Sequence, residues 1–158
     1  MTDIQDLASR LQLLEGERGI RATLYRYGHS IDYGLEEEWV DCFLPDGRYV
    51  LRYPAGAPAG RTARVLQGRS EIAGFVAAHS RAPQRYHKHL LVEPVIAIDG
   101  DRATVSSYFV RVDAEGTERV ILAFGRYLDT MLRCADGLWR FAERIAEVES
   151  IAPAQSVG

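Results

Sequence analysis

Four histidines and one awkwardly placed aspartate are the side chains of this sequence best suited to moving protons. Imidazole titrates near neutral pH without help, and a carboxylate beside it orients the ring and balances the charge it gains. Asp32 stands in SIDYG, at the end of a stretch in which Ile20, Leu24, Tyr27 and Ile31 step by three and four. At ~100° per residue it lies roughly 100° from the centre of that stripe, a flank from which a side chain reaches a cavity. An acid in a last helical turn also opposes the helix dipole and needs a partner such as a protonating imidazole; without one it is an exposed carboxylate beside a loop. Tyr27 is about 140° away on the same helix, so the two would flank a substrate rather than touch, and Tyr27 reads equally as simple core.

The histidines sort by face. His29 is opposite the apolar stripe, towards solvent, and His79 closes a later helix, where a cationic ring suits the dipole. His87 and His89 share strand parity with Leu91, so alternation alone does not choose between them. His87 is nearer the strand entrance and reads as a rim residue. HKH offers two imidazoles with no third ligand at recognisable spacing, so no metal is expected. Tyr49, Tyr53, Tyr108, Phe109 and Trp139 supply aromatic surface; most belong to a core, and one or two lining a cavity would suit a flat, hydrophobic, oxygen-bearing molecule. With no GxSxG, P-loop, GxGxxG or Cys-His setting, covalent hydrolysis, phosphoryl transfer and dinucleotide redox chemistry have no support.

The elements that must position these groups divide into helices first and strands later. Ile4, Leu7, Leu11 and Leu14 predict a short helix with a Thr2–Gln5 capping box, and Gly16 and Gly19 predict a break before the longer helix ending near Gly34. A third helix is expected over 35–43, with Glu36, Glu37 and Glu38 in its first turn. RYVLRY after Gly47 reads as a strand with Tyr49, Leu51 and Tyr53 on one face, PAGAPAG as a flexible loop over a pocket, and 64–66 as a short strand. Ser70 reads as the N-cap of a helix running to about His79. From Tyr86 onward four long strands follow, joined at Asp99-Gly100, Glu115-Gly116 and Asp136-Gly137, as in an antiparallel meander. The whole is an α+β domain over 1–150 with a C-terminal tail at 151–158.

At 158 residues, 47% apolar and 26% charged, the chain fits one domain with an ordinary core. A net charge of −3 offers no basic field for a phosphate backbone, so nucleic acid is not expected as a partner. No apolar run approaches a membrane span, no leader pattern opens the chain, and Cys42 and Cys134 read as reduced fillers; a soluble cytoplasmic protein with no membrane partner is expected. The long apolar strand VILAFGRYL has two faces too greasy for one to meet water, which points to a homo-oligomer.

The segments YRYGHSIDYGLEEEWVDCF with DGRY, HKHLLVEPVIAIDGDRATVSSYF, and FGRYLDTMLRCADGLWRFAER together resemble the SnoaL-like branch of the nuclear transport factor 2-like superfamily. Within it the chain is similar to scytalone dehydratase, bile acid 7α-dehydratase and hexachlorocyclohexane dehydrochlorinase. That resemblance implies a cone-shaped curved mixed or antiparallel sheet with the N-terminal helices on its concave face, associating as trimers or dimers. It places the branch's catalytic aspartate on Asp32, its histidine on His89 and its tyrosine on Tyr27. No second histidine stands on ATVSSYFVRVD, and Glu93 replaces an asparagine often found four residues after the histidine. The implied activity is a cofactor-independent, dehydratase-type elimination on a small cyclic or polycyclic hydrophobic substrate. His89 would act as base, oriented by Asp32; Tyr27 would hydrogen-bond the oxygen that gains charge, and Tyr49, Tyr53, His87, Glu93 and Tyr108 would surround the substrate. The branch equally implies two alternatives, a double-bond isomerase of the ketosteroid isomerase kind and a non-catalytic apolar ligand-binding or assembly module.

Overall fold

The computed structural model describes residues 3–55, 61–115 and 117–152. Its first element is a single uninterrupted helix, α1 (Ile4–Tyr33), rather than two with a break. The glycines expected to interrupt it are packing notches. A Cβ on Gly19 would lie 2.8 Å from Cδ1 of Trp139, and one on Gly16 would lie 3.0 Å from Cδ1 of Ile98. The propensity lost there is offset by close approach of the helix to the strands beneath. Asp3 is the N-cap, accepting from the Gln5 N–H at 3.4 Å, and Thr2 lies outside the described residues. Gly34 closes the helix at φ 74°, its N–H donating to the Ser30 carbonyl. Only the second half is covered: Ile20, Leu24, Tyr27 and Ile31 are buried, whereas Ile4, Leu7, Leu11 and Leu14 are exposed.

Helix α2 (Glu36–Asp41) is shorter than expected because the chain is already extended at Phe43. Strand β1 (Phe43–Arg52) thus starts ahead of the Asp46-Gly47 pair, and the irregularity between Phe43 and Arg48 is absorbed against the last strand. Strand β2 (Arg64–Gln67) turns directly into helix α3 (Gly68–Ala77). The N-cap is Gln67 instead of Ser70: Gly68 at φ 77° makes the turn, and the Glu71 carboxylate accepts the Gln67 N–H at 2.8 Å. Residues 56–60 of the PAGAPAG segment lie outside the described residues.

The four long strands are β3 (His87–Asp99), β4 (Arg102–Glu115), β5 (Glu118–Arg133) and β6 (Trp139–Ile151). They form the antiparallel meander the Asp-Gly signals predict; Gly116 is outside the described residues. Strand β1 then adds to β6 in parallel, giving one mixed six-stranded sheet in the order β2-β1-β6-β5-β4-β3. Register shifts at Val92/Val95, Arg111/Val112, Phe124/Gly125 and Thr130/Met131 add extra residues on one strand of each pair, which bends the sheet into a cone. The helices pack on its inner face, Trp39 of α2 and Tyr27 of α1 meeting Phe43, Tyr127 and Phe141 of the sheet. Strand β6 ends at Ile151, and the Ala152 N–H bonds the Leu122 carbonyl at 2.8 Å. Cys42 and Cys134 are free thiols. Among the described residues, no helix is long and apolar enough to cross a membrane.

Candidate active site

Strand β3 lies at the edge of the sheet, so alternate N–H groups of its backbone have no neighbouring strand to bond. Helix α1 covers that edge, and Asp32, in its last turn and only 4% exposed, takes up one of these donors: the His89 N–H lies 3.3 and 3.2 Å from Oδ1 and Oδ2. The same carboxylate holds the His89 ring, with Nδ1 at 2.7 Å from Oδ1. A carboxylate only accepts, so Nδ1 carries the proton and Nε2 keeps the lone pair. The helix-end acid and the strand-start imidazole expected from sequence are therefore in direct contact. Lys88 Nζ, 4.0 Å from Oδ2, completes the surroundings of the carboxylate and stacks over Tyr33.

His89 lines a cavity of about 230 Å³ between the helices and the inner face of the sheet, together with Tyr49, Tyr53, Phe109, Tyr127 and His79. Arg61, Arg64 and Arg111 line it too. The walls are aromatic and aliphatic with these three cationic side chains among them.

His87 and His79 differ from expectation. His87 is not on the rim; it is 2% exposed, with Nε2 at 3.3 Å from His79 Nε2 and 3.6 Å from Asp32 Oδ1. Its parity does point it inwards with His89, but at the start of β3 inwards means underneath His79 rather than into the cavity. His79 does not act as a cation at the end of α3. Burial, with the neighbouring His89 ring and the Arg111 charge, pushes its pKa down to about 3. Burial, Arg111 and His89 likewise push His87 down to about 4. Both rings are neutral at ordinary pH. His29 is exposed, as its helical face predicts.

Tyr27, expected at the substrate, is one layer deeper. Its hydroxyl donates to that of Tyr49 at 3.2 Å, and Tyr49 is the one that faces the cavity. Beneath them is a group that sequence reasoning missed. Arg144 is fully buried, bonded through Nε and Nη2 to the two carboxylate oxygens of Asp129, each at 2.8 Å. Its guanidinium carbon lies 4.1, 4.0 and 4.1 Å from the ring centroids of Tyr27, Tyr127 and Phe141. Burial drives the Tyr27 phenol well above its ordinary pKa, with Tyr49 and Tyr127 adding and the Arg144 charge opposing. The tyrosines are therefore neutral hydrogen-bond donors, not phenolates. A signal existed: Asp129 and Arg144 are direct cross-strand partners, both on the inward parity of otherwise apolar strands.

Two expected pocket residues are elsewhere. Glu93 and Tyr108 border a groove on the outer side of the sheet. Glu93 occupies the bulge of β3 at φ 50°, where the added residue resets alternation, and Tyr108 has the parity opposite to Phe109. Counting four residues from His89 takes no account of that bulge. Tyr53 is at the cavity as expected. Among the described residues, His79, His87 and His89 are the group able to hold a metal ion, with ligand atoms within 4.8 Å of one another.

The family model for the SnoaL-like domain matches residues 12–145, from the middle of α1 to the strand bearing Arg144. The chain belongs to the SnoaL-like family. This is a branch of the nuclear transport factor 2-like superfamily, and the solved structures agree on its cone. An NTF2-like protein with a cystatin-like fold from Novosphingobium aromaticivorans superposes with a TM-score of 0.82 at 25% identity, covering 99% of this chain and 94% of the other. A protein of unknown function from Mycobacterium tuberculosis gives a TM-score of 0.73 at 27% identity, over 99% and 83%. The beta subunit assigned to an aromatic-ring-hydroxylating dioxygenase from N. aromaticivorans gives 0.69 at 20% identity, over 91% and 94%, a likeness of fold. No curated protein matches this SnoaL-like chain.

Proposed function

We propose that this SnoaL-like protein catalyses a dehydratase-type elimination on a small cyclic or polycyclic, oxygen-bearing hydrophobe, using its own side chains. The observation that carries the reading is the 2.7 Å contact between Asp32 Oδ1 and His89 Nδ1 at the wall of an aromatic cavity. With Nδ1 committed to the carboxylate, His89 Nε2 is the base that takes a proton from carbon next to a carbonyl. The electron pair left behind moves onto the carbonyl oxygen, where the Tyr49 hydroxyl donates; Tyr27 supports Tyr49 from behind, and Arg144 favours negative charge over the whole tyrosine layer. The enolate then re-forms its carbonyl as the β-hydroxyl departs. The imidazolium proton leaves with that hydroxyl as water, so His89 is regenerated and the balance is substrate to alkene plus water. Returning the proton to another carbon would instead give double-bond migration, with the same residues in the same roles.

The assay is to incubate the protein with hydroxylated and keto polycyclic compounds and follow loss of water or migration of the double bond by mass and ultraviolet spectra. A substrate that turns over with native protein and not with His89→Ala supports the reading. Turnover untouched by His89→Ala and by Asp32→Asn sinks it. The acting form is taken to be a homo-oligomer, because the outer sheet face exposes Leu90, Tyr108, Ile121 and Phe124, with the half-buried Val110 between Leu90 and Phe124 in one cross-strand row. Light scattering of a 17.7 kDa species at micromolar concentration would refute that.

A further inference from the structure

The cavity wall holds more imidazole than an acid–base dyad uses. His79 comes from the segment just after α3, and His87 and His89 from alternate positions of β3, so the three converge although 79 and 87 are not in any motif spacing. Their ring centroids are 5.0, 5.7 and 5.2 Å apart in the pairs 79–87, 79–89 and 87–89. We infer that His79, His87 and His89 form a binding site for one first-row divalent cation of the zinc class, with the open coordination position towards the cavity.

Nitrogens bound at about 2.05 Å to a tetrahedral ion lie about 3.3 Å from one another. The two facing nitrogens, Nε2 of His79 and of His87, are already 3.3 Å apart. In the metal-free protein one shared proton joins them, and the ion would replace it. Each of the three residues offers one ring nitrogen within 4.8 Å of the others, so the rings close the remaining gap by movements on the order of 1 Å and rotation of His89. The outer partner is present too: Asp32 holds His89 Nδ1 at 2.7 Å, the carboxylate–histidine arrangement that fixes which nitrogen is offered to a metal. Imidazole nitrogens are what a borderline cation prefers, and burial of the cluster beneath α3 keeps competing water from most of its ligands. The opposing charge is Arg111, and it is compensated in part. Asp113, fully buried, accepts from Arg111 Nε at 2.7 Å and Nη2 at 3.0 Å and also pairs with Arg85 at 3.1 Å. Three nitrogen donors with one carboxylate behind them favour zinc, cobalt(II), nickel or copper(II) over magnesium or calcium. Since His89 and His79 line the cavity, the fourth position would be filled by water or by a ligand held there.

One consequence rests on the proposed elimination: a bound ion takes the lone pair His89 needs as a base, so metal occupancy and turnover exclude each other. The test uses the full-length protein, stripped with EDTA and desalted, then titrated with Co²⁺ and with Zn²⁺ by calorimetry, the cobalt also followed by its visible d–d absorption. One equivalent is expected at saturation, with binding weakened about tenfold or more by each of His79→Ala, His87→Ala and His89→Ala and unchanged by the exposed control His29→Ala. His79→Gln, which keeps the size of a partly exposed side chain, guards against a His87 variant that fails to fold. Absence of saturable one-to-one binding, or binding unaffected by His79→Ala and His79→Gln, overturns the site. These titrations need no substrate, so they stand even if no elimination is found. If zinc saturates the three-histidine site while turnover persists, His89 is not the base and the proposed function falls instead.

Discussion

Two carboxylates are buried in this cone to the same degree, and they do opposite things. Asp129 and Asp32 are each 4% exposed. Asp129 meets a guanidinium, which never releases its proton at any working pH, and the two bonds at 2.8 Å match fork to fork. Nothing there can be transferred; the pair is a fixed dipole under the tyrosine layer. Asp32 meets imidazoles, through one short bond to His89 and a longer approach to His87 at 3.6 Å. Its partners titrate, and one of them opens onto the cavity. Burial makes an acid consequential, but the partner decides whether the result is a foundation or a proton path.

If that contrast is right, the foundation should break the fold and the proton path should break only turnover. Arg144→Met leaves Asp129 buried without its partner, where burial, which already raises its pKa, favours the neutral acid; loss of the pair should cost about 3–5 kcal/mol in urea unfolding, a large share of the stability of a domain this size. An Asp32→Asn protein losing as much would erase the distinction. On the other side, His89→Ala should lower kcat by about 10²- to 10⁴-fold with the unfolding midpoint little changed. Asp32→Asn should approach the same loss, because an amide cannot hold the Nδ1–H tautomer as a carboxylate does. Because the two act as one unit, the double variant should be scarcely slower than His89→Ala; strictly additive losses would show that they work separately.

The tyrosine layer connects the two regions, and its variants sharpen the comparison at smaller scale. Tyr49→Phe removes the hydroxyl that faces the cavity and should lower kcat by about 10²-fold with little change in substrate affinity. Tyr27→Phe removes only the support behind it and should lose about tenfold or less. Equal losses, or a larger one at Tyr27, would mean that the buried hydroxyl reaches the substrate.

Much of this was legible in the residues. The 3.6-residue stripe ending in Asp32, the period-two alternation of His87, His89 and Leu91, and the Asp-Gly turns place the dyad at a helix end beside the first long strand. What was not legible depends on contacts between distant segments. Gly19 reads as a helix breaker until Trp139, 120 positions later, is found packed against it. His79 reads as a helix-capping cation until two β3 rings and Arg111 close around it. Glu93 was misplaced because a bulge in β3 shifts alternation by one residue, which no local pattern announces, and Tyr108 because its parity is opposite to that of the inward Phe109. Arg144 was passed over because a charge on an apolar strand parity reads as surface unless its cross-strand partner is paired with it.

The smallest expected effect separates the two regions by pH. His79 and His87 are held at about 3 and about 4 in the folded protein, both below the ordinary imidazole value near 6.5, by burial and by their neighbours, the Arg111 charge and the His89 ring. From pH 6.5 down to about 4 for His87 and about 3 for His79 the unfolded chain therefore binds protons that the folded chain refuses, so stability falls as pH drops, most steeply between 6.5 and 4 where both rings act. Asp41 and Asp113 have their pKa values lowered by arginines against the opposing effect of burial, so their contribution is lost only at still lower pH, beneath the ordinary carboxylate range. Arg144→Met removes the charge that opposes burial at Asp129, so the folded variant keeps a proton there that the unfolded chain releases, and its stability should gain less than the native protein's between pH 4 and 6.5. His79→Gln should flatten that slope by the share of one proton, measured as the change of urea midpoint with pH. A native slope of zero in the window would mean that the histidine cluster takes up protons freely when folded, and with it would go the claim that two of its three rings stay neutral beside the base.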